Sequence, residues 1–240
     1  MAAIEEGLAK ARAELVRRGL LLVQDRELPC VVALIAGAPV GGSWWAHAKG
    51  HDIFAVLTAL GDDPDVVTTR LVGKKVTLVA RELWPALVAV VTSGDRWQTT
   101  GLSAAARRLL EQVRAEGPLS TDQLARDTPG RRALAAAARE LEERLLVRAE
   151  QVHTEHGAHA RTLDTWERWA DAHGLARGLP PVLHARAALE RAVRELGGDA
   201  KLLPWSAEMK EAPEVRVRPE VSAKRSADRP SKARRRKAGS

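Results

Sequence analysis

The chain has 240 residues, is 45% hydrophobic and only 3% aromatic, and holds seven Trp, one Phe and no Tyr. Its one cysteine, Cys30, excludes an intramolecular disulfide and a cysteine-based zinc site. The net charge of +7 is local: residues 221–240 carry eight Lys/Arg against one Asp, which is +7, so the rest of the chain sums to zero.

The N-terminal run MAAIEEGLAKARAELVRRG is amphipathic and charged, without the uninterrupted apolar core of a signal peptide. Residues 2–18 read as a helix with Ile4, Leu8, Ala11 and Leu15 on one face and Gly19 as its stop. GLLLV follows as a short strand, and LPCVVALIAG as a helix with Pro29 in its first turn. GGSWWAHAKGHDIFAVLTALGDD leads through a long loop, 38–48, into a helix with Ile53, Val56, Leu57 and Leu60 inward. DVVTTRLVGKKVTLVAR predicts a hairpin turning at Gly73-Lys74, and RELWPALVAVVTS another helix.

The second half repeats this order more legibly. LSAAARRLLEQVRAEG (102–117) has Ser103 as N-cap, Leu109, Leu110 and Val113 at helical spacing, and Gly117 where a helix stops. In PLSTDQLARDTPG, Ser120 and Gln123 form a capping box and Leu119 with Leu124 a hydrophobic staple, so a short helix starts at Thr121 and ends near Arg126. Asp127-Thr128-Pro129-Gly130 is a turn. A third helix, Arg131 to about Arg144, places Leu134, Ala138, Leu141 and Leu145 on one face. LLVRAEQVHTEHGAHARTLDTW then predicts two strands around a turn.

Beyond the hairpin, Asp164 with Glu167 marks an acid-capped helix start, with Trp166, Trp169, Ala170 and His173 on one face and Gly174 at its end. A proline-led helix covers 180–198. From about residue 206 the chain is rich in Ser, Ala, Pro and Arg and poor in large apolar groups, which predicts disorder.

The expected fold is therefore mainly α with small β-hairpins (α+β). It divides into an N-terminal unit (1–100), a second unit (101–173), a helical extension (174–205) and a basic tail (206–240). Helix, short helix, helix and hairpin is the order of a winged helix-turn-helix module. ARELEERLLVRAE resembles the junction between recognition helix and wing in MarR-like and related winged-helix proteins, and the likeness spans 102–165. The looser N-terminal copy of the order implies two winged-helix-like units in tandem.

Two stretches concentrate chemistry. In EQVHTEHGAHAR, a three-residue loop with Gly157 left-handed pairs Thr154 with Ala158, so that His153 faces His159 across the strands. Gln151 and Arg161 come next on that face, His156 stands at the tip and Glu150 lies opposite. Two imidazoles can share a divalent metal, but a complete site needs donors from another segment; a polar wing touching phosphate, a partner or solvent is a second reading, and a small-ligand or catalytic site a third. In GSWWAHAKGHD, Trp44, Trp45, His47, Lys49, His51 and Asp52 fall together before a helix. They can form a surface that stacks a base and meets phosphate, or the two Trp can plug the gap between units. A helix starting near Ala46 would put His47 and His51 on one face.

A winged helix presents its third helix to the major groove. Here that helix offers Arg131, Arg132 and Arg139 but no Asn, Gln, Ser or Lys, and Glu140, Glu142 and Glu143 repel phosphate, so sequence-specific readout has little support. Lys232, Arg234, Arg235, Arg236 and Lys237 of KARRRK, with Arg161, are the better phosphate contacts, sequence-independent and salt-sensitive. GSWWAHAKGHDIF, the V-G-K-K-V hairpin, RELWPAL and EQVHTEHGAHARTLDTWERWA together are similar to bacterial proteins grouped with the AlkZ-type DNA glycosylases. That family consists of tandem winged helices and uses a Q-x-Q motif. No Q-x-Q occurs here; the nearest run is Glu150-Gln151-Val152-His153. The resemblance implies the scaffold and a nucleic-acid setting.

The expectation is a cytoplasmic DNA-binding protein, nucleoid-associated when bound, in a regulatory or repair context, without cofactor and without a membrane. One alternative is a glycosylase-like or other hydrolytic enzyme with Glu150, Gln151, His153, His159, His47 and His51 as candidate catalytic groups. The other is a protein-interaction adaptor.

Overall fold

The computed structural model describes residues 2–121, 130–153 and 159–207. It is mainly helical, with two small antiparallel sheets of three strands each. None of the described helices is long and apolar enough to cross a membrane.

The first half runs α1 (Ala2–Arg18), β1 (Leu20–Leu22), α2 (Val31–Ala36), α3 (Gly50–Gly61), β2 (Val66–Thr69), β3 (Thr77–Ala80) and α4 (Trp84–Val91). Strand order is β1-β3-β2, with Leu21 opposite Leu78 and Val67 opposite Val79. The hairpin turns where Gly73 and Lys74 both take positive φ, 56° and 60°. Two successive left-handed residues give the backbone twist that matches the strands they join. Thr77 ties this turn down: its buried hydroxyl accepts from Val72 N–H and donates to the Lys75 carbonyl.

The second half runs α5 (Arg96–Thr99), α6 (Ala104–Glu116), β4 (Leu119–Ser120), α7 (Arg131–Glu143), β5 (Arg148–His153) and β6 (His159–Asp164). Its strand order, β4-β6-β5, repeats that of the first sheet: in each, the first strand in sequence pairs with the third. Then come α8 (Trp166–Ala172), α9 (Val182–Glu195) and two short 3-10 turns that bury Trp205.

Two hydrophobic cores result. The larger gathers Leu15, Leu21, Ile53, Val67 and Leu87 of the first half with Trp166, Trp169, Leu189 and Trp205 from beyond the second sheet. The smaller lies within 102–163 around Leu109, Val113, Leu141 and Leu163. Trp166 and Trp169 thus follow the second hairpin in sequence but pack with Trp84 of α4, in edge-on contact at 5.0 Å between the Trp84 and Trp169 rings.

Local chemistry adjusts several predicted boundaries. α2 begins after Pro29, at Val31, because the Cys30 thiol accepts from Ala33 N–H and serves as N-cap. α3 begins at Gly50 and not near Ala46; residues Trp44–Ala46 form a separate 3-10 turn, so His47 and His51 do not share a helical face. Thr165, not Asp164, caps α8 by accepting from Arg168 N–H. Leu145 lies past the end of α7 at φ 52° and enters the larger core instead of continuing the helical stripe. A left-handed leucine costs roughly 1–2 kcal/mol, which full burial of its side chain offsets. Ser103 does cap α6, accepting from Ala106 N–H at 3.1 Å. The helix expected over 121–126, the Gly157 loop and the tail beyond Ala207 lie outside the described residues, apart from Thr121, which is helical.

Candidate functional site

Three places hold the chemistry-bearing residues. The first is the loop before α3. Trp44 packs against the larger core. Trp45 stacks on it, ring centroids 4.2 Å apart and planes within 23°, with Phe54 at 5.2 Å. The loop is pinned at both ends. Gln24 donates to the Val40 and Gly42 carbonyls, Lys49 Nζ donates to the Ile35 carbonyl, and Gly50 N–H donates to the His47 carbonyl. His47 Nδ1 accepts from Lys49 N–H at 3.1 Å, which leaves Nε2 as the protonated nitrogen of the neutral ring. Gly50 is required: a Cβ there would meet the Trp45 carbonyl oxygen at 2.9 Å and that of Trp44 at 3.3 Å. His51 is exposed in the first turn of α3, with Asp52 after it.

The second place is the β5–β6 hairpin. Its register puts His153 opposite His159, Gln151 opposite Arg161 and Glu150 opposite Thr162. The side chains of residues 151–160, both histidines included, lie outside the described residues, as does His156. Among the described residues no group of three or more His, Cys, Asp or Glu is placed to hold a metal ion.

The third place was not singled out by sequence. A groove of about 370 Å³ opens between the C-terminal end of α3 and the base of the hairpin, lined by Asp62, Asp63, Trp84, Arg148, Trp169 and His173 among others. His173 stacks on Trp169 at 4.4 Å and its Nδ1 lies 2.7 Å from the Trp169 carbonyl, which makes Nδ1 the donor. Arg148 binds Glu150 at 2.9 Å and lies 5.9 Å from the Trp169 ring. The loop before α3 and this groove stand at opposite ends of α3, roughly 17 Å apart along the helix axis.

Several cations on and around α7 meet protein anions. Arg139 pairs with Glu143 at 2.7 Å, which raises the pKa of the guanidinium further. Arg161 pairs with Glu142, whose other oxygen takes Arg70 of the first half at 2.9 Å. Burial pushes the Glu143 carboxyl up, but Arg139 and Lys74 outweigh it and hold it below the usual range. The Ser103 side chain and N–H, helped by Arg144, do the same for Glu140. Arg144 donates to the Trp97 and Thr100 carbonyls at 2.9 and 2.7 Å, closing the end of α7 against α5. Of the arginines expected to meet nucleic acid, Arg132 is exposed; the side chain of Arg131 and all of Lys232, Arg234, Arg235, Arg236 and Lys237 lie outside the described residues.

Comparison of the chain with protein-family models, curated proteins and solved structures returns no match.

Proposed function

We propose that the chain is a DNA-binding protein of two winged-helix units in tandem. It holds the duplex without sequence preference, mainly through its basic C-terminal segment, in a regulatory or DNA-repair setting. The scaffold part of the reading draws on the order helix, strand, helix and hairpin that the described residues of both halves contain, and on the shared strand order of the two sheets. Fold alone does not carry function.

The observation that carries the function is the partition of charge. Within the folded body Arg139, Arg161 and Arg70 are matched by Glu142 and Glu143. The net +7 sits in residues 221–240. A run such as KARRRK binds phosphate by releasing condensed counterions, a contact blind to sequence and steeply weakened by salt. The C-terminal half of α7 faces the first unit through Glu142 and Glu143, so its outer N-terminal half is what remains for a groove.

The test is duplex binding against salt concentration by the full chain and by a variant with Lys232, Arg234, Arg235, Arg236 and Lys237 changed to Gln. Loss of five phosphate contacts lowers the slope of log K against log salt by about 4. Unchanged affinity and slope would remove the tail from the proposal, and no duplex binding by either chain would remove the function.

A further inference from the structure

Of the seven tryptophans, Trp45 is the one left open to solvent, at 62% of its full exposure; Trp84, Trp166, Trp169 and Trp205 are buried, and Trp44 and Trp97 partly so. A lone surface apolar residue needs no explanation. This one differs because the chain holds it out in a fixed pose. Trp44 anchors beneath it in the larger core, and the two indoles stack at 4.2 Å with planes 23° apart. Backbone and side-chain hydrogen bonds from Gln24, His47, Lys49 and Gly50 fix the loop around them. The absence of a side chain at Gly50 lets the Trp44 and Trp45 carbonyls sit directly on the start of α3.

The exposed face is therefore a flat, polarizable surface whose ordering is complete before any ligand arrives. Close to it along the chain, Lys49 and His51 are exposed, His47 is half-buried and Asp52 is the acid among them; the Lys49 ammonium also holds the Ile35 carbonyl. An aromatic plane with a lysine and two histidines close by along the chain suits a nucleobase and its backbone phosphates. In a duplex both faces of a base are already covered by neighbours, so only an unpaired base can add a third layer to the Trp44–Trp45 stack.

We infer that Trp45 is a stacking site for an unpaired nucleobase of a single-stranded nucleic acid, with Lys49, His47 and His51 as the neighbouring groups that meet the strand's backbone. This deepens the nucleic-acid reading above and rests on it, but it assigns a different part of the surface from the basic tail.

The experiment measures binding of deoxythymidine and uridine 12-mers, matching 12-mers of abasic sugar-phosphate, and a duplex. The proteins are the full chain, Trp45→Ala, Trp45→Phe and the five-site tail variant. Trp45→Ala is expected to lose about tenfold in affinity for base-bearing single strands. It should lose nothing on the abasic strand or the duplex, and its melting temperature should match the parent's. Trp45→Phe should recover most of the loss. The strand, deoxy or ribo, that shows the larger loss identifies the source of the base.

Equal single-strand affinity for Trp45→Ala and the parent would overturn the inference, as would an equal loss on the abasic strand. Loss of binding to phosphatidylglycerol vesicles by Trp45→Ala, with single-strand affinity intact, would overturn it in favour of a membrane surface. A tail variant that keeps duplex affinity while Trp45→Ala loses single strands removes only the tail reading; the reverse removes only this inference.

Discussion

The two halves share a strand order and a helix ahead of the hairpin, and put that helix to opposite purposes. In each, a third helix precedes the hairpin: α3 in the first half and α7 in the second. The end of α3 that receives the chain carries an open tryptophan, an exposed histidine and a pinned loop. The far end of α7 has its carboxylates tied to Arg70, Lys74, Arg139 and Arg161. One helix presents side chains outward; the other spends them holding the molecule together. The cores differ in the same sense. The larger draws on both ends of the chain, whereas the smaller is closed within 102–163 and leans on the first half through ion pairs. Equivalent positions in a repeated topology do not imply equivalent roles, because the role depends on what each helix end packs against.

The comparison breaks most visibly through the cores. Leu141 is fully buried in the smaller one, and Leu141→Ala is expected to cost about 2–5 kcal/mol. Amide hydrogen exchange should place the loss in α6, α7 and the β5–β6 sheet; an equal loss in α3 and α4 would show that the two cores melt as one.

Next in size is the tie between the halves. Glu142 is 5% exposed with a guanidinium on either side. Glu142→Gln leaves Arg70 and Arg161 without their counter-charge. Both are partly in solvent, so the cost should be about 1–3 kcal/mol. Denaturant unfolding followed by probes in each half should then separate into two transitions; a single shifted transition would mean that apolar packing, not charge, couples them.

The smallest effect is that of acid. In the first half, burial pushes the Asp25 carboxyl up, but Lys75 and the N–H groups of Glu27 and Leu28 outweigh it and leave its pKa lowered. Asp95 is lowered likewise by Ser93 and Arg186 against its burial. In the second half Glu140 and Glu143 are lowered. A carboxyl with a depressed folded pKa contributes stability that is present above its unfolded pKa, about 4, and is lost as pH falls through the folded value. The melting temperature should therefore drop as pH is taken below about 4. Asp25→Asn should flatten that drop for the first half alone, and an unchanged acid profile in this variant would show that the Lys75 pair contributes nothing.

Much of the fold was legible because the signals were local. The apolar stripe of α1, the Ser103 cap, the Gly73-Lys74 turn and the pairing of His153 with His159 each depend on residues a few positions apart. The misplaced starts of α2, α3 and α8 were local as well. A thiol is a weak acceptor and gives little capping signal at Cys30, and Thr165 sits beside an acid that is as good a cap by residue type. At the candidate site, the Trp44–Asp52 stretch was visible as a composition, but which of the two indoles is buried was not. The groove lined by Trp84, Arg148, Trp169 and His173 takes in Glu150, a candidate from the sequence, but its outline was not legible, since its walls come from four separated segments.

What the sequence by itself determined is periodicity, capping, hairpin register and the confinement of net charge to the tail, all properties of neighbours along the chain. Only the tertiary structure decided that Trp44 goes in while Trp45 stays out, that Leu145 leaves its helix for the other core, and that Glu142 serves Arg70 and Arg161 together. The physical reason is common to all three. Burial and charge pairing are set by whichever surface closes over a residue, and here that surface comes from residues tens of positions away.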